Sequence, residues 1–218
     1  AKTWDASIPI CYLINRDGKI AWIGHPSEIK PVLDQVANGK WNIDSAARQR
    51  NYQQVMFEKD KEIDSLVLRF SRNGSFSDYV GEPDSVLYYI SKEVLKNPDL
   101  NYSYHSTYHR FIALLKTDMN KAYDFAIEAV RQTNSFGPQY SAIIGGIKYI
   151  NQYFSLKPEM YGLGAILIEK YNAKNVSNLI RASEWYWLAG KKADAMRCSK
   201  AARKAMKKAK TNYFGTFF

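Results

Sequence analysis

Between Pro83 and Lys210 the chain is cut into a series of helical patterns by breakers that leave little room for loops. The breakers are Asn97-Pro98, Thr117-Asp118, Phe136-Gly137-Pro138, Lys157-Pro158, the stretch from Asn172 to Asn175, and Gly190. Pro and Gly stop or start a helix, and Asp and Asn satisfy its first N–H groups. The predicted helices run Pro83 to Lys96, Tyr102 to Lys116, Met119 to Thr133, Pro138 to Phe154, Pro158 to Tyr171, Val176 to Ala189 and Lys191 to Lys210. Short links force successive helices antiparallel, and amphipathic antiparallel pairs in series build an α-hairpin array. The fold class is therefore mainly α.

Small residues say where these helices meet. Leu114 to Val130 and Trp187 to Ala205 both place a tight turn after an apolar helix end, followed by alanines at i and i+7: Ala122 with Ala129, and Ala195 with Ala202. Alanine at that spacing lets two helices approach closely. Gly145-Gly146 and Gly162-x-Gly164 accompany no Walker lysine-serine pair and no preceding strand, so they read as close helix contacts rather than phosphate loops.

Ahead of the array, Asp44 or Ser45 caps a long helix in which Tyr52, Val55, Met56, Ile63, Leu66, Val67 and Phe70 form a stripe around a charged middle. This reads as a connector, closed by Asn73-Gly74. The first 41 residues differ in kind. Ile10 to Ile14 is continuously apolar, which suits a central strand covered on both faces. Arg16-Asp17-Gly18-Lys19 forms a hairpin turn with Gly18 at positive φ, and Ile20 to Ile23 returns as an antiparallel neighbour. Ser27 is placed to cap a helix with apolar residues at Ile29, Val32, Leu33 and Val36, ended by Asn38-Gly39.

This opening resembles the C-terminal half of the thioredoxin fold, in particular the TlpA/ResA-type thiol-disulfide oxidoreductases. The resemblance rests on Ile8-Pro9 before the strand, on YLINRDGKIAWIG followed by His25-Pro26, and on VLDQVANGKW at the end of the helix. It implies a partial thioredoxin fold (β-hairpin plus helix) with a cis Pro9. It also implies that Ile8 and Pro9 are the substrate-binding wall, the Ile8 backbone pairing with an extended substrate and Pro9 packing beside the reactive disulfide. Family members carry W-C-x-x-C upstream, and this sequence contains none. The chain alone is expected to be inactive as a reductase, because that chemistry needs an activated thiolate and a second, resolving cysteine. The second alanine-rich hairpin, with Trp185, Tyr186, Leu188 and Ala189-Gly190, resembles a tetratricopeptide repeat, and the array is tetratricopeptide-like to that extent.

Other chemistries have little to stand on. The formal charge is +10, but the basic residues crowd into the last helix, from Lys191 to Lys210, as a solvated face does, and no nucleic-acid partner is expected. Cys11 and Cys198 form neither C-x-x-C nor a metal cluster and read as buried free thiols. No apolar stretch approaches the length of a membrane span. His25, between Gly24 and Pro26, sits where an imidazole meets backbone or solvent. His105 and His109, at i and i+4, share a helix face with metal-capable spacing, but the tyrosines around them (Tyr102, Tyr104, Tyr108) supply no acidic third ligand. They read as a polar-aromatic packing site, and no metal or other cofactor is expected.

The expected organisation is a C-terminal β-β-α part of a thioredoxin-like domain over residues 1–41, a connector helix and loop over 42–82, and a helical array over 83–218. The expected function is that of the C-terminal portion of a thioredoxin-like oxidoreductase, with the array as an extension that binds a partner or substrate protein. The alternative is a non-enzymatic helical-repeat interaction module. Partners are a protein or peptide, with a homodimer through the exposed edge of the Ile10 to Ile14 strand also expected. The resemblance places the protein outside the cytoplasm, as in the periplasm.

Overall fold

The structure, a computed structural model, describes residues 9–69, 82–132, 139–172 and 175–214, with side chains as far as Lys207 and Asn172 excepted. The described chain is mainly α, with a small antiparallel sheet preceding the helices. It divides into two compact units, Ala1–Phe57 and Glu58–Phe218.

In the first unit, β1 (Cys11–Ile14) pairs with β2 (Ile20–Gly24), followed by a 3-10 turn (Pro26–Glu28) and α1 (Ile29–Ala37). Gly18 adopts φ +75°, and the Asn15 side chain accepts the backbone N–H groups of Asp17 (3.1 Å) and Lys19 (2.9 Å), so the turn is closed by its own residues. A register shift between Leu13 and Ile14 leaves Ala21 as an extra residue on β2. Ala21 is buried, and its carbonyl accepts the Trp41 indole N–H at 2.9 Å, which ties the chain beyond α1 back to the sheet.

Two local expectations are corrected here. The cap ahead of α1 comes from His25, not from Ser27: His25 Nδ1 accepts the Ser27 N–H (3.3 Å) and lies 2.7 Å from the Ser27 hydroxyl. A 3-10 turn opening on Pro26 brings that imbalance about, because it puts the first orphan N–H groups within reach of the preceding imidazole. Nor is β1 covered on both faces. Tyr12 and Ile14 point outward and are exposed, as is Ile20 on β2.

The helix α2 (Ile43–Leu68) contributes residues to both units. Of its predicted stripe, Met56, Ile63 and Val67 are buried while Tyr52 and Val55 are exposed; Phe70, the Asn73-Gly74 stop and the loop after it lie outside the described residues.

The second unit continues with α3 (Pro83–Lys96), a 3-10 segment (Pro98–Tyr102), α4 (Tyr104–Thr117), α5 (Met119–Arg131), α6 (Tyr140–Ile150), α7 (Pro158–Asn172), α8 (Val176–Leu188) and α9 (Lys192–Phe214). Asp118 caps α5 through the N–H groups of Asn120 and Lys121, and Asn175 caps α8 through Ser177. Gly190, at φ +74°, ends α8 in a Schellman arrangement in which Lys191 N–H reaches Tyr186 O and Gly190 N–H reaches Trp187 O. The core is built from Phe111, Ile112 and Leu115 of α4, Ile143, Ile147 and Ile150 of α6, and Met160 and Ile168 of α7.

One glycine of each pair is a close contact point, as their sequence setting predicts, whereas a Cβ on Gly145 or Gly162 would meet nothing closer than 3.4 Å. A Cβ on Gly146 would fall 2.6 Å from the Phe111 ring, and one on Gly164 would fall 2.5 Å from the Trp185 ring. Glycine thus permits the close approach of α6 to α4 and of α7 to α8. Ala122, Ala129, Ala195 and Ala202 are all buried. The packing order departs from a uniform series of hairpins, since α6 lies against α4, across α5, whereas α7, α8 and α9 pack in sequence order.

Candidate functional site

The constellation richest in titratable groups joins α2 to α4. Asp60 and Asp64 stand one turn apart on α2, and His105 and His109 stand one turn apart on α4. Asp60 occupies the buried face of α2 between Met56 and Ile63 and is 2% exposed. Its carboxylate accepts the Ser103 hydroxyl (2.5 Å), the His105 N–H (3.1 Å to each oxygen) and the Ser106 N–H (3.3 Å). Ser103 is the N-cap residue of α4 but makes no side-chain cap bond of its own. The carboxylate of α2 therefore caps α4 from outside, at the end of the helix where the dipole favours negative charge. The His105 ring completes the contact, with Nδ1 3.2 Å from the Asp60 carbonyl oxygen and 3.4 Å from its carboxylate.

One turn on, His109 is fully buried and its Nε2 lies 2.7 Å from Asp64 Oδ1. Tyr104 stacks on Tyr108 and meets the His105 ring edge-on, and the two imidazoles stack 6.3 Å apart.

The electrostatics differ between the rungs. Burial alone would raise the Asp60 carboxyl, but hydrogen bonds from His105 and Ser103 outweigh it and hold Asp60 below the usual carboxylate value. The His109 hydrogen bond does the same for Asp64. Burial pushes the His105 imidazole down, yet its hydrogen bond and attraction to Asp60 prevail and its pKa is raised. At His109 burial wins over the Asp64 hydrogen bond, and the pKa is lowered. Burial also drives the Tyr108 phenol up to about 12.

The metal-capable spacing of His105 and His109 is thus spent on one aspartate each. Among the described residues no group of three His, Cys, Asp or Glu side chains is arranged to hold a metal ion. An imidazole backed by a carboxylate is a general-base arrangement, but a base must touch its substrate, and His109 is wholly enclosed. The site joins α2 to α4. Local reading around the histidines missed both aspartates, which arrive from α2; their own i, i+4 spacing, with Asp60 interrupting an apolar stripe, was the available signal.

A second polar cluster ties the last three helices. Glu169 of α7 accepts the Tyr186 hydroxyl (2.6 Å) and both Arg197 guanidinium nitrogens (2.5 and 2.9 Å), and Arg197 also reaches Asp194 (2.9 Å). The Arg197 bonds, opposed by burial, pull Glu169 down to about 2. Cys198 is buried beside it, and burial followed by the Glu169 charge pushes its thiol up to about 11.

Of the substrate wall expected by resemblance, Ile8 lies outside the described residues, and Pro9 is exposed where the described chain starts. Cys11 is half-buried and Cys198 buried, and both are free. No described helix is long and apolar enough to cross a membrane. Comparison with family models, with curated proteins and with solved structures found no match to this chain.

Proposed function

We propose that the first unit is the C-terminal β-β-α portion of a thioredoxin-like thiol-disulfide oxidoreductase and that the helical array is an extension binding a partner or substrate protein. The observation that supports the redox reading is the hairpin itself. A glycine turn, two antiparallel strands and a following helix occur in the thioredoxin-fold order, and one sheet face is left with Tyr12, Ile14 and Ile20 uncovered. Large apolar side chains on an uncovered sheet face call for a further layer or strand. On this reading the missing cover is the C-x-x-C half of the domain, Ile8 and Pro9 line the substrate side, and the protein works outside the cytoplasm. The coding sequence immediately upstream of Ala1 tests it: W-C-x-x-C in a thioredoxin-like context supports the reading, and continuous helical repeat there sinks it. The chain by itself should give no insulin reduction above the dithiothreitol background.

A non-enzymatic interaction module is the second reading, favoured by a different observation: Trp187, Leu188 and Met196 are exposed together on the last helical pair. Pull-down cannot separate the two readings, but the upstream sequence does.

A further inference from the structure

The outward side of α9 carries one sign of charge. From Lys192 to Lys207 its exposed cations are Lys192, Arg197, Lys200, Arg203, Lys204 and Lys207, and its one acid, Asp194, is half-buried and bonded to Arg197 at 2.9 Å. Glu169 of α7 holds the same guanidinium, so the Arg197 charge is met within the fold. Lys200, Arg203, Lys204 and Lys207 stand at i, i+3, i+4 and i+7 and therefore share one face. Like charges at those spacings work against a helix, and they lie too far from its end at Phe214 for the helix dipole to offset them. The remaining exposed positions are Ala193, Met196, Ala201 and Met206. Over these residues the outer surface of α9 thus presents cations and apolar side chains, with no exposed acid, hydroxyl or amide. None of the cations lines the groove between α8 and α9, so the face is the convex side of a single helix rather than a cleft.

We propose that this face of α9 docks on an anionic lipid surface, with Lys200, Arg203, Lys204 and Lys207 against lipid phosphates and the exposed Met196 and Met206 beside them at the acyl boundary. Such docking is independent of the redox reading. Charge complementarity calls for an anion, and the composition of the face decides which. A membrane surface with anionic headgroups attracts each Lys or Arg near it, and these long side chains rest their methylenes in the apolar boundary while the charge stays with the phosphates. A nucleic acid would be gripped by the same cations, but its phosphates and sugars also draw on hydroxyl and amide side chains and its bases on aromatic ones, and the exposed part of α9 supplies none of these. A partner helix seats in an apolar groove, and the cations stand outside the one between α8 and α9. A second copy would bring another chain of formal charge +10.

The test is sedimentation of the full chain with vesicles made of equal parts phosphatidylglycerol and phosphatidylcholine, beside vesicles of phosphatidylcholine alone. Binding to the anionic vesicles is expected to exceed binding to the neutral ones by about tenfold or more and to fall as salt is raised. Lys200→Gln, Arg203→Gln and Lys204→Gln, combined in one variant, should weaken it about a hundredfold with unchanged circular dichroism. Lys30→Gln, Lys40→Gln and Lys92→Gln, exposed lysines on other elements, make the same change in net charge and should leave binding within about twofold of the parent. No preference for the anionic vesicles overturns the proposal, as does a preference that survives high salt or one that the two triple variants lower equally. A duplex oligonucleotide that binds at physiological salt and releases the protein from the vesicles assigns the face to nucleic acid and also overturns it. None of these results bears on the upstream C-x-x-C motif, so failure here leaves the redox reading to its own test.

Discussion

Asp60 and His105 meet twice: the Asp60 carboxylate accepts the His105 backbone N–H at 3.1 Å, and the His105 ring lies 3.2 Å from the Asp60 carbonyl. A helix cap and a side-chain contact are thereby made by one pair of residues on different helices. Asp60→Ala strands the His105 and Ser106 N–H groups, leaving the Ser103 hydroxyl only the Leu100 carbonyl, and should cost about 3 kcal/mol in urea unfolding, with Asp60→Asn costing about half as much. An Asp60→Ala loss below about 0.5 kcal/mol would show that the cap contributes nothing of note.

The two imidazoles should titrate on opposite sides of the ordinary histidine value, His105 above it and His109 below. For His105 the stabilising contribution is full below a pH of about 6.5 and is lost as pH rises through its raised pKa. For His109, buried neutral, the contribution is present above about 6.5 and is lost as pH falls through its lowered pKa. The aspartates add a further loss when pH falls below about 4, through their depressed values. Proton NMR of the two ring Hε1 signals checks the split, and coincident midpoints would refute it.

The four helical glycines should divide by the space around them. Gly146→Ala and Gly164→Ala drive a methyl into the Phe111 and Trp185 rings and should each destabilise by about 2 kcal/mol. Gly162→Ala meets nothing closer than 3.6 Å and should stabilise by about 0.5 to 1 kcal/mol through the unfolded state. Gly145→Ala, at 3.4 Å from Tyr108, should be close to neutral. Thermal unfolding of the four variants that failed to separate Gly146 and Gly164 from the other two would contradict these helix contacts.

The thiols should differ in the same way. Cys11 is half-buried on β1, whereas Cys198 is 1% exposed with its thiol pushed up to about 11. Maleimide labelling of the native protein, followed by mass spectrometry, should modify Cys11 first and Cys198 only after denaturant is added. Equal rates in the native state would be incompatible with the packing of α9.

The array was legible because its signals are local. Pro83, Asp118, Pro158, Asn175 and Gly190 each act on their own neighbourhood, and the helices start and stop where these residues require. Gly146 and Gly164 were legible as contacts because few other uses exist for glycine within a helix. What local pattern does not carry is the identity of the partner. The histidines were visible as a pair, but Asp60 and Asp64 come from more than 40 residues away, and the packing of α6 on α4 across α5 follows from the fit of the Gly146 face to Phe111. At the sheet, hydrophobicity alone could not tell a strand covered on both faces from one with Tyr12 and Ile14 outward.

Because the acceptor for the first amides of α4 belongs to α2, those amides register an event at a distance. In a helix capped by its own residues, the leading N–H protons exchange with solvent as the end frays. Here the His105 and Ser106 protons are released only when Asp60 withdraws, so their deuterium uptake reads the free energy of parting α2 from α4. Two backbone positions thus provide an internal gauge of that association, without a label or a mutation.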